Sequence, residues 1–310
     1  MNQHVAGSTV AVTGAFGFTG RALAERLLAN GCQVVSLARR VERNDPLASR
    51  LTMHPLDFGA PDELARALAG VDVLYNTYWL RFPRDGSSFE GAVANSVTLF
   101  DAARVAGVRR IVHLSVVNAD LAAGTPYVRA KALVELLLAD SGLSHAIVRP
   151  TLTFGPGDIL VNNLAWALRH LPAYGLAGRG RYRIQPVHVD DVARIAVEAA
   201  AEPDGSVIDA AGPEQLEFRE LVALVRTAVG SRSVVVPMPD PLVLLGTRIL
   251  GRLVGDVVLT RDELAELTSS LLVSHTPARG TIRISEWLQA SGGGLGRRWS
   301  SELARNYGRA

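Results

Sequence analysis

A single cysteine, Cys32, is all the sulfur chemistry this 310-residue chain has outside its three methionines. One thiol excludes an intrachain disulfide framework and any multi-cysteine metal site. Its expected role is that of a small apolar filler at the start of the second strand. Excess charge of one sign is also missing: Lys plus Arg number 32 and Asp plus Glu 30, a formal net charge of +2. That balance gives no reason to expect nucleic acid as a partner. The basic clusters that do occur, Arg39-Arg40-Arg43 and Arg179-Arg181-Arg183, read as local sites. No uninterrupted apolar run reaches the roughly 18 residues of a spanning helix. Met1-Asn2-Gln3-His4 lacks the basic and apolar regions of a secretory signal, so the expected location is the cytoplasm. There is no internal repeat and no low-complexity tract.

What is abundant is hydrophobic side chain, 48% against 20% charged, enough for one large domain or two unequal ones. The first half alternates short apolar runs with amphipathic stretches. Strands are expected at Ser8–Val12, Gln33–Leu37, Val71–Asn76, Arg110–Ser115 and His145–Arg149, with helices at Arg21–Asn30, Pro61–Leu68, Phe89–Ala106 and Tyr127–Asp140. Apolar strands alternating with helices imply an α/β fold with a parallel sheet covered on both faces. After Pro150 glycine, proline and arginine break the pattern, and helices are expected at 159–171, 190–201 and 218–229 with a strand at 206–209. The expected organisation is a Rossmann-type, doubly wound dinucleotide-binding domain over 1–150, with returning segments from about 180–210. A smaller α/β substrate lobe over 151–310 is interleaved with it. Pro241–Val254 is an apolar helical stretch in which Arg248 and Arg252 share a face. It reads as a helix packing on the lobe or on a second subunit, its polar face being sparse for the alternative, a helix lying on a membrane. The tail Arg297–Ala310 reads as a peripheral or frayed helix.

The chemistry begins at Thr13-Gly14-Ala15-Phe16-Gly17-Phe18-Thr19-Gly20, between the first strand and the first helix. Strand, glycine turn and helix in that order are the context of a dinucleotide fingerprint. Gly14 permits the tight turn, Gly17 lets backbone N–H groups approach a pyrophosphate, and Gly20 lets the helix pack close to the sheet. At the end of the second strand, Ser36-Leu37-Ala38-Arg39-Arg40 offers guanidinium groups where a carboxylate would select NAD. Paired charged contacts to a 2′-phosphate favour NADP. In the alternative, Arg40 faces solvent and Glu42 serves NAD. Asn76, Thr77 and Tyr78 follow the fourth strand and should border the cofactor.

Tyr127 and Lys131 lie four apart at the start of a helix, after the strand that ends in Ser115. At that spacing the two side chains share a face, and an ammonium beside a phenol favours phenolate. His113 and His188 sit in apolar runs and read as core residues, and no spacing supports a metal site. Asp190-Asp191 opens a helix and reads as a cap.

Thr13-Gly14-x-x-Gly17-x-x-Gly20, Ser115 and Tyr127-x-x-x-Lys131 together resemble the short-chain dehydrogenase/reductase superfamily. Arg149-Pro150-Thr151-Leu152-Thr153-Phe154-Gly155-Pro156-Gly157-Asp158 and Gln185–Ala193 are similar to segments of its extended, epimerase/dehydratase-like branch. With Leu259–Leu264, they look most like the atypical subgroup related to the complex I 39-kDa subunit. The resemblance covers about residues 8 to 290. It implies Tyr127 as acid/base, Lys131 also holding the nicotinamide ribose, and Ser115 orienting the substrate oxygen. It further implies cofactor contacts at Gly14, Phe16, Gly17, Phe18, Gly20, Pro150, Thr151 and Thr153, and at Asp57 and Phe58, a pair resembling one that touches adenine. The expected activity is hydride transfer at a carbonyl or carbinol of a small molecule seated near Tyr127. The alternative is a nucleotide-binding scaffold or redox sensor without turnover.

Overall fold

The computed structural model describes residues 7–39 and 44–307, which leaves Arg40, Glu42 and Arg43 outside the described residues. The elements begin with β1 (Thr9–Thr13), α1 (Phe18–Ala29), β2 (Gln33–Ala38), β3 (Thr52–Pro55), α2 (Pro61–Ala67) and β4 (Val73–Asn76). Next come α3 (Phe89–Val105), β5 (Arg110–Leu114), α4 (Pro126–Asp140), β6 (His145–Pro150), β7 (Thr153–Phe154), α5 (Leu160–His170) and β8 (Ala173–Ala177). They continue with β9 (Arg183–Ile184), β10 (Val187–His188), α6 (Val189–Ala199), β11 (Ser206–Ala210), β12 (Leu216–Glu217) and α7 (Phe218–Ala228). Last are β13 (Val234–Met238), α8 (Asp240–Val254), α9 (Arg261–Thr268) and α10 (Ile284–Ser291). Two compact units result: Met1–Pro150 with Val189–Ala210, and Thr151–His188 with Ala211–Ala310.

In the first unit the described strands form a seven-stranded sheet in the order β3-β2-β1-β4-β5-β6-β11. Every pairing in it is parallel. Val10, Ala11 and Val12 of β1 are fully buried, as a parallel strand covered on both faces requires. On one face α2, α3 and α4 close over Leu64, Leu74, Leu99, Phe100, Ile111 and Leu138. On the other, α1 packs against α6, burying Leu23, Leu27, Ile195 and Ala196. Local chemistry fixes several helix starts. Ser88 caps α3 by accepting from the Gly91 N–H at 3.0 Å, and Pro126 opens α4, where its missing N–H costs nothing. The α6 segment is anchored by Arg110, whose guanidinium donates to the carbonyls of Glu202 at 2.8 Å and Ala199 at 3.3 Å. A cation at a helix C-terminus is favoured by the helix dipole. The sheet order reverses direction beside β1, which lies between β2 and β4, and in open α/β sheets such a switch point is where ligands bind.

The second unit holds three two-stranded pairings among its described strands: β7 with β10, β9 with β12, and β8 with β13. Its core gathers Phe154, Leu164, Leu168, Ile184, Leu221, Val225 and Leu288. Two features here depend on partners distant in sequence. The stretch around Tyr174 has no strand signature of its own, yet Ala173–Ala177 pairs in parallel register with Val234–Met238; a partner some sixty residues away supplies what local pattern cannot. Of the two readings of the tail, peripheral or frayed helix, the first describes it up to Tyr307. The buried Asp256 carboxylate accepts from the Trp299 indole and the Glu302 N–H, both at 2.9 Å, and from Leu303 N–H at 3.1 Å. A π-helical turn follows over Leu303–Tyr307. The inner face of α8 packs Val243 and Leu244 with Ala177, Met238 and Leu264. No helix among the described residues is long and apolar enough to cross a membrane.

The closest backbone approach in the first unit is at Gly20, where a Cβ would stand 2.1 Å from the Gly14 carbonyl oxygen. Gly20→Ala therefore has to push α1 off β1. It is expected to lower stability by about 1–3 kcal/mol, read from the urea midpoint, and an unchanged midpoint would contradict the packing described.

Candidate active site

The turn after β1 is built by backbone bonds. Gly14 takes a left-handed φ of 65°, its N–H donates to Leu37 O at 2.8 Å, and its own carbonyl accepts from Gly17 N–H at 2.8 Å. Gly17 is the N-cap of α1, with extended backbone and no side-chain cap, and the first turn carries no acid. N–H groups at such an end need acceptors from elsewhere, and a pyrophosphate supplies them. Phe16 and Phe18 flank Gly17, each half-buried. With the Gly14–Gly20 approach, the turn is a cradle that a β-carbon would fill, and it fits a dinucleotide.

The ends of β1 and β4 are tied by two threonine hydroxyls, that of Thr77 donating to the Thr13 carbonyl. Thr13 Oγ1 donates to Asn76 Oδ1 at 3.1 Å and accepts from the N–H groups of Thr77 at 2.8 Å and Tyr78 at 2.9 Å. Asn76 is fully buried and donates through Nδ2 to His113 Nδ1 at 3.1 Å. Its amide thus joins β4 to the Thr13 hydroxyl and to His113 and positions the loop. Burial, with the Lys131 charge second, holds the His113 imidazole well below its usual range. The ring is therefore neutral. Tyr78 accepts from Asn95 Nδ2 at 2.9 Å, and its ring lies 4.7 Å from that of Phe58. Asp57 is exposed and folds back to accept from Gly59 N–H at 2.9 Å. Arg39 is exposed at the end of β2, and Arg40 lies outside the described residues. Arg21, one residue past Gly20, is ion-paired with Asp45, which holds that carboxyl below the usual range.

Tyr127 and Lys131 lie on α4, and the Lys131 amine reaches the end of β5. Ser115 N–H donates to Val148 O at 2.8 Å, and its buried hydroxyl has no hydrogen-bond partner among the described residues. Lys131, one turn after Tyr127 on α4, is only 3% exposed. Its amine donates to the carbonyl of Leu114, the residue before Ser115, at 2.8 Å. It also sits 4.4 Å from the ring centre of Trp79. Trp79 and Phe89 in turn meet the Tyr127 ring edge-on, at 6.2 and 5.9 Å. The structure thus brings Lys131 to the strand end that carries Ser115, and sets Tyr127 against two aromatic rings. Trp79 and Phe89 were not among the residues singled out from sequence. The available signal was the aromatic run Tyr78-Trp79 directly after a strand that ends at the switch point.

Burial pushes the Lys131 amine down to about 7, and Glu135 opposes that by favouring the charge. Glu135 is itself buried and donated to by Arg149 Nε at 3.0 Å, which ties α4 to β6. Of the other residues named from sequence, Pro150 ends β6 and its carbonyl accepts from Val117 N–H at 3.0 Å. Thr151 and Thr153 belong to the second unit. There the Thr151 hydroxyl donates to Gln185 O and Thr153 lies on β7.

Comparison with known proteins bears on this arrangement. Residues 10–210 match the model of the NAD dependent epimerase/dehydratase family. An uncharacterized protein of Mycobacterium tuberculosis is 34% identical over 217 residues, 69% of this chain; the chain spans only 23% of that protein's length. NADH dehydrogenase [ubiquinone] 1 alpha subcomplex subunit 9, mitochondrial, of Arabidopsis thaliana is 26% identical over 292 residues, 87% of this chain and 72% of that protein. Among solved structures, an NADPH-dependent quinone oxidoreductase from Escherichia coli, complexed with NADPH, superposes with a TM-score of 0.75 over 91% of this chain and 99% of its own. At 20% identity that likeness speaks for the fold alone.

The depressed Lys131 has a consequence for stability. Between about 7 and its ordinary 10.5 the unfolded chain holds a proton that the folded amine has shed. Raising pH through that window favours the fold, because the unfolded state binds more protons there. The cost is felt in full below about 7, where both states are charged, and is gone above 10.5. Urea midpoints of the wild type minus those of Lys131→Met should therefore climb across this window. A flat difference would show that the amine keeps its ordinary proton affinity.

Proposed function

The chain belongs to the NAD dependent epimerase/dehydratase family, and from that premise we propose that it is an NAD(P)-dependent oxidoreductase or epimerase of the short-chain dehydrogenase type. It acts at a carbonyl or carbinol of a small molecule, with Tyr127 as acid/base. The observation that carries this reading is the buried Lys131 amine, bonded to the carbonyl that precedes Ser115 and set one helical turn from Tyr127.

A bound nicotinamide dinucleotide supplies or accepts the hydride. The turn at Gly14, Gly17 and Gly20 would hold its pyrophosphate, Phe58 and Tyr78 would border the adenosine half, and Lys131 would take the nicotinamide ribose hydroxyls. Tyr127 gives its phenolic proton to the substrate oxygen in reduction and takes it back in oxidation. Lys131 in its charged form lowers the cost of the phenolate that results. The unpartnered Ser115 hydroxyl donates to the same substrate oxygen and fixes its position. Trp79 and Phe89 flank Tyr127 and keep water from that side of it.

NADP is the preferred cofactor in this reading. Arg39 at the end of β2 presents a guanidinium, and Asp45, an acid near the turn, is already engaged by Arg21. A second reading, a dinucleotide-binding scaffold or redox sensor, is supported by the relatedness to a subunit of mitochondrial NADH dehydrogenase.

Turnover separates the two. Tyr127→Phe should keep NADPH affinity while kcat falls by about 10²–10⁴, measured on whichever carbonyl of a broad panel supports NADPH oxidation. Wild-type turnover in the variant would remove Tyr127 from the chemistry, and tight NADPH binding with no oxidation across the panel would favour the scaffold. Calorimetry tests the cofactor. NADP should bind more tightly than NAD, and Arg39→Ala should weaken NADP by about tenfold, one charged hydrogen bond's worth, leaving NAD unaffected. Tighter binding of NAD by the wild type would reverse the assignment.

A further inference from the structure

We propose that the outer face of α8, with the turn at Arg179–Arg181, is a docking surface for an anionic phospholipid bilayer. This is independent of the nucleotide site and lies wholly in the second unit. Leu242, Leu245, Ile249 and Leu253 recur at three- and four-residue steps and form one stripe, each between 48% and 79% exposed. The stripe is not a misplaced core face, because the opposite side of the same helix already has its own core: Val243 and Leu244 against Ala177, Met238 and Leu264. Val234 and Val236 are also exposed, on β13, the strand that precedes the helix.

Charge names the occupant. Arg248 and Arg252 stand three residues after Leu245 and Ile249 and so run along one edge of the stripe. The helix carries a single acid, Asp240 at its first position, and none along the stripe. At the entry to the helix, Gly178 N–H donates to Met238 O at 2.8 Å, which brings the exposed Arg179 and Arg181 beside it. The guanidinium groups of these four arginines have no ion-pair or hydrogen-bond partner among the described residues. A twofold dimer through this patch would set two arginines from each helix against a face whose one carboxylate is Asp240, at the first position of the helix. A lipid surface accepts a convex apolar stripe without shape complementarity, and its phosphodiesters match the guanidinium fork. At 15 residues the helix lies in the interface plane and does not cross it.

Vesicle flotation with the full chain tests this. The wild type should float with phosphatidylglycerol-containing vesicles and not with phosphatidylcholine alone, and salt should weaken the binding. The triple variant L245S/I249S/L253S should lose about tenfold or more of the affinity, and R248Q/R252Q should lose the preference for anionic lipid. Both should retain wild-type NADPH binding, which shows that they fold. In a separate Ile249→Trp variant, indole emission should shift to the blue on adding anionic vesicles and stay unshifted with neutral ones. The proposal is overturned if the wild type ignores anionic vesicles or if the triple variant binds them equally well. It is also overturned if light scattering finds a dimer that the triple variant dissolves while vesicles are not bound.

Discussion

The nucleotide half of the molecule depends on how closely α1 can approach β1. Gly20 lies against the carbonyl of Gly14, and no other residue type leaves room for it. That contact aims the uncapped start of α1 at the C-terminal edge of the sheet, beside the position where the strand order reverses. The edge itself is held by Thr13, whose hydroxyl joins β1 to the backbone beyond β4. Through Asn76 the same network reaches His113 on β5. The turn, the two strand ends and the imidazole therefore form one connected unit. A group bound at the glycines meets a surface already set by buried hydrogen bonds rather than by mobile side chains.

Much of this was legible in the sequence because the signals are local. A glycine turn between an apolar strand and an amphipathic helix, and a tyrosine and lysine four apart, need only neighbouring residues to be read. So does the alternation of buried strands with helices. What stayed hidden depends on partners distant in sequence. β8 exists through its register with β13, and the tail is held by Asp256, more than forty residues before it. Trp79 could be seen as an aromatic after a strand, but not as the ring beneath the Lys131 ammonium, since that contact requires α4 to fold back over β5. Asn76 was readable as a residue near the cofactor. That its amide also bonds Thr13 and His113 follows only from the three-dimensional network.

The two readings of function differ in what they require of Lys131. Burying an amine is costly, and burial alone drives it towards the neutral form. The surroundings offset part of that cost with a carbonyl, an aromatic face and the nearby Glu135. A scaffold that only grips a dinucleotide could use an exposed, fully hydrated lysine for the ribose and avoid the penalty. A proton-handling site has a reason to accept it. An amine poised near neutrality is sensitive to a phenolate forming one helical turn away, and the charge it then carries is poorly screened in buried surroundings. The unpartnered Ser115 hydroxyl points the same way, because a buried donor left without an acceptor is a cost that a substrate oxygen would relieve. The unpartnered Ser115 hydroxyl and the Leu114 carbonyl that holds Lys131 sit at the same strand end. In the catalytic reading the substrate oxygen meets Ser115, while Lys131, already bonded to the Leu114 carbonyl, acts through its charge.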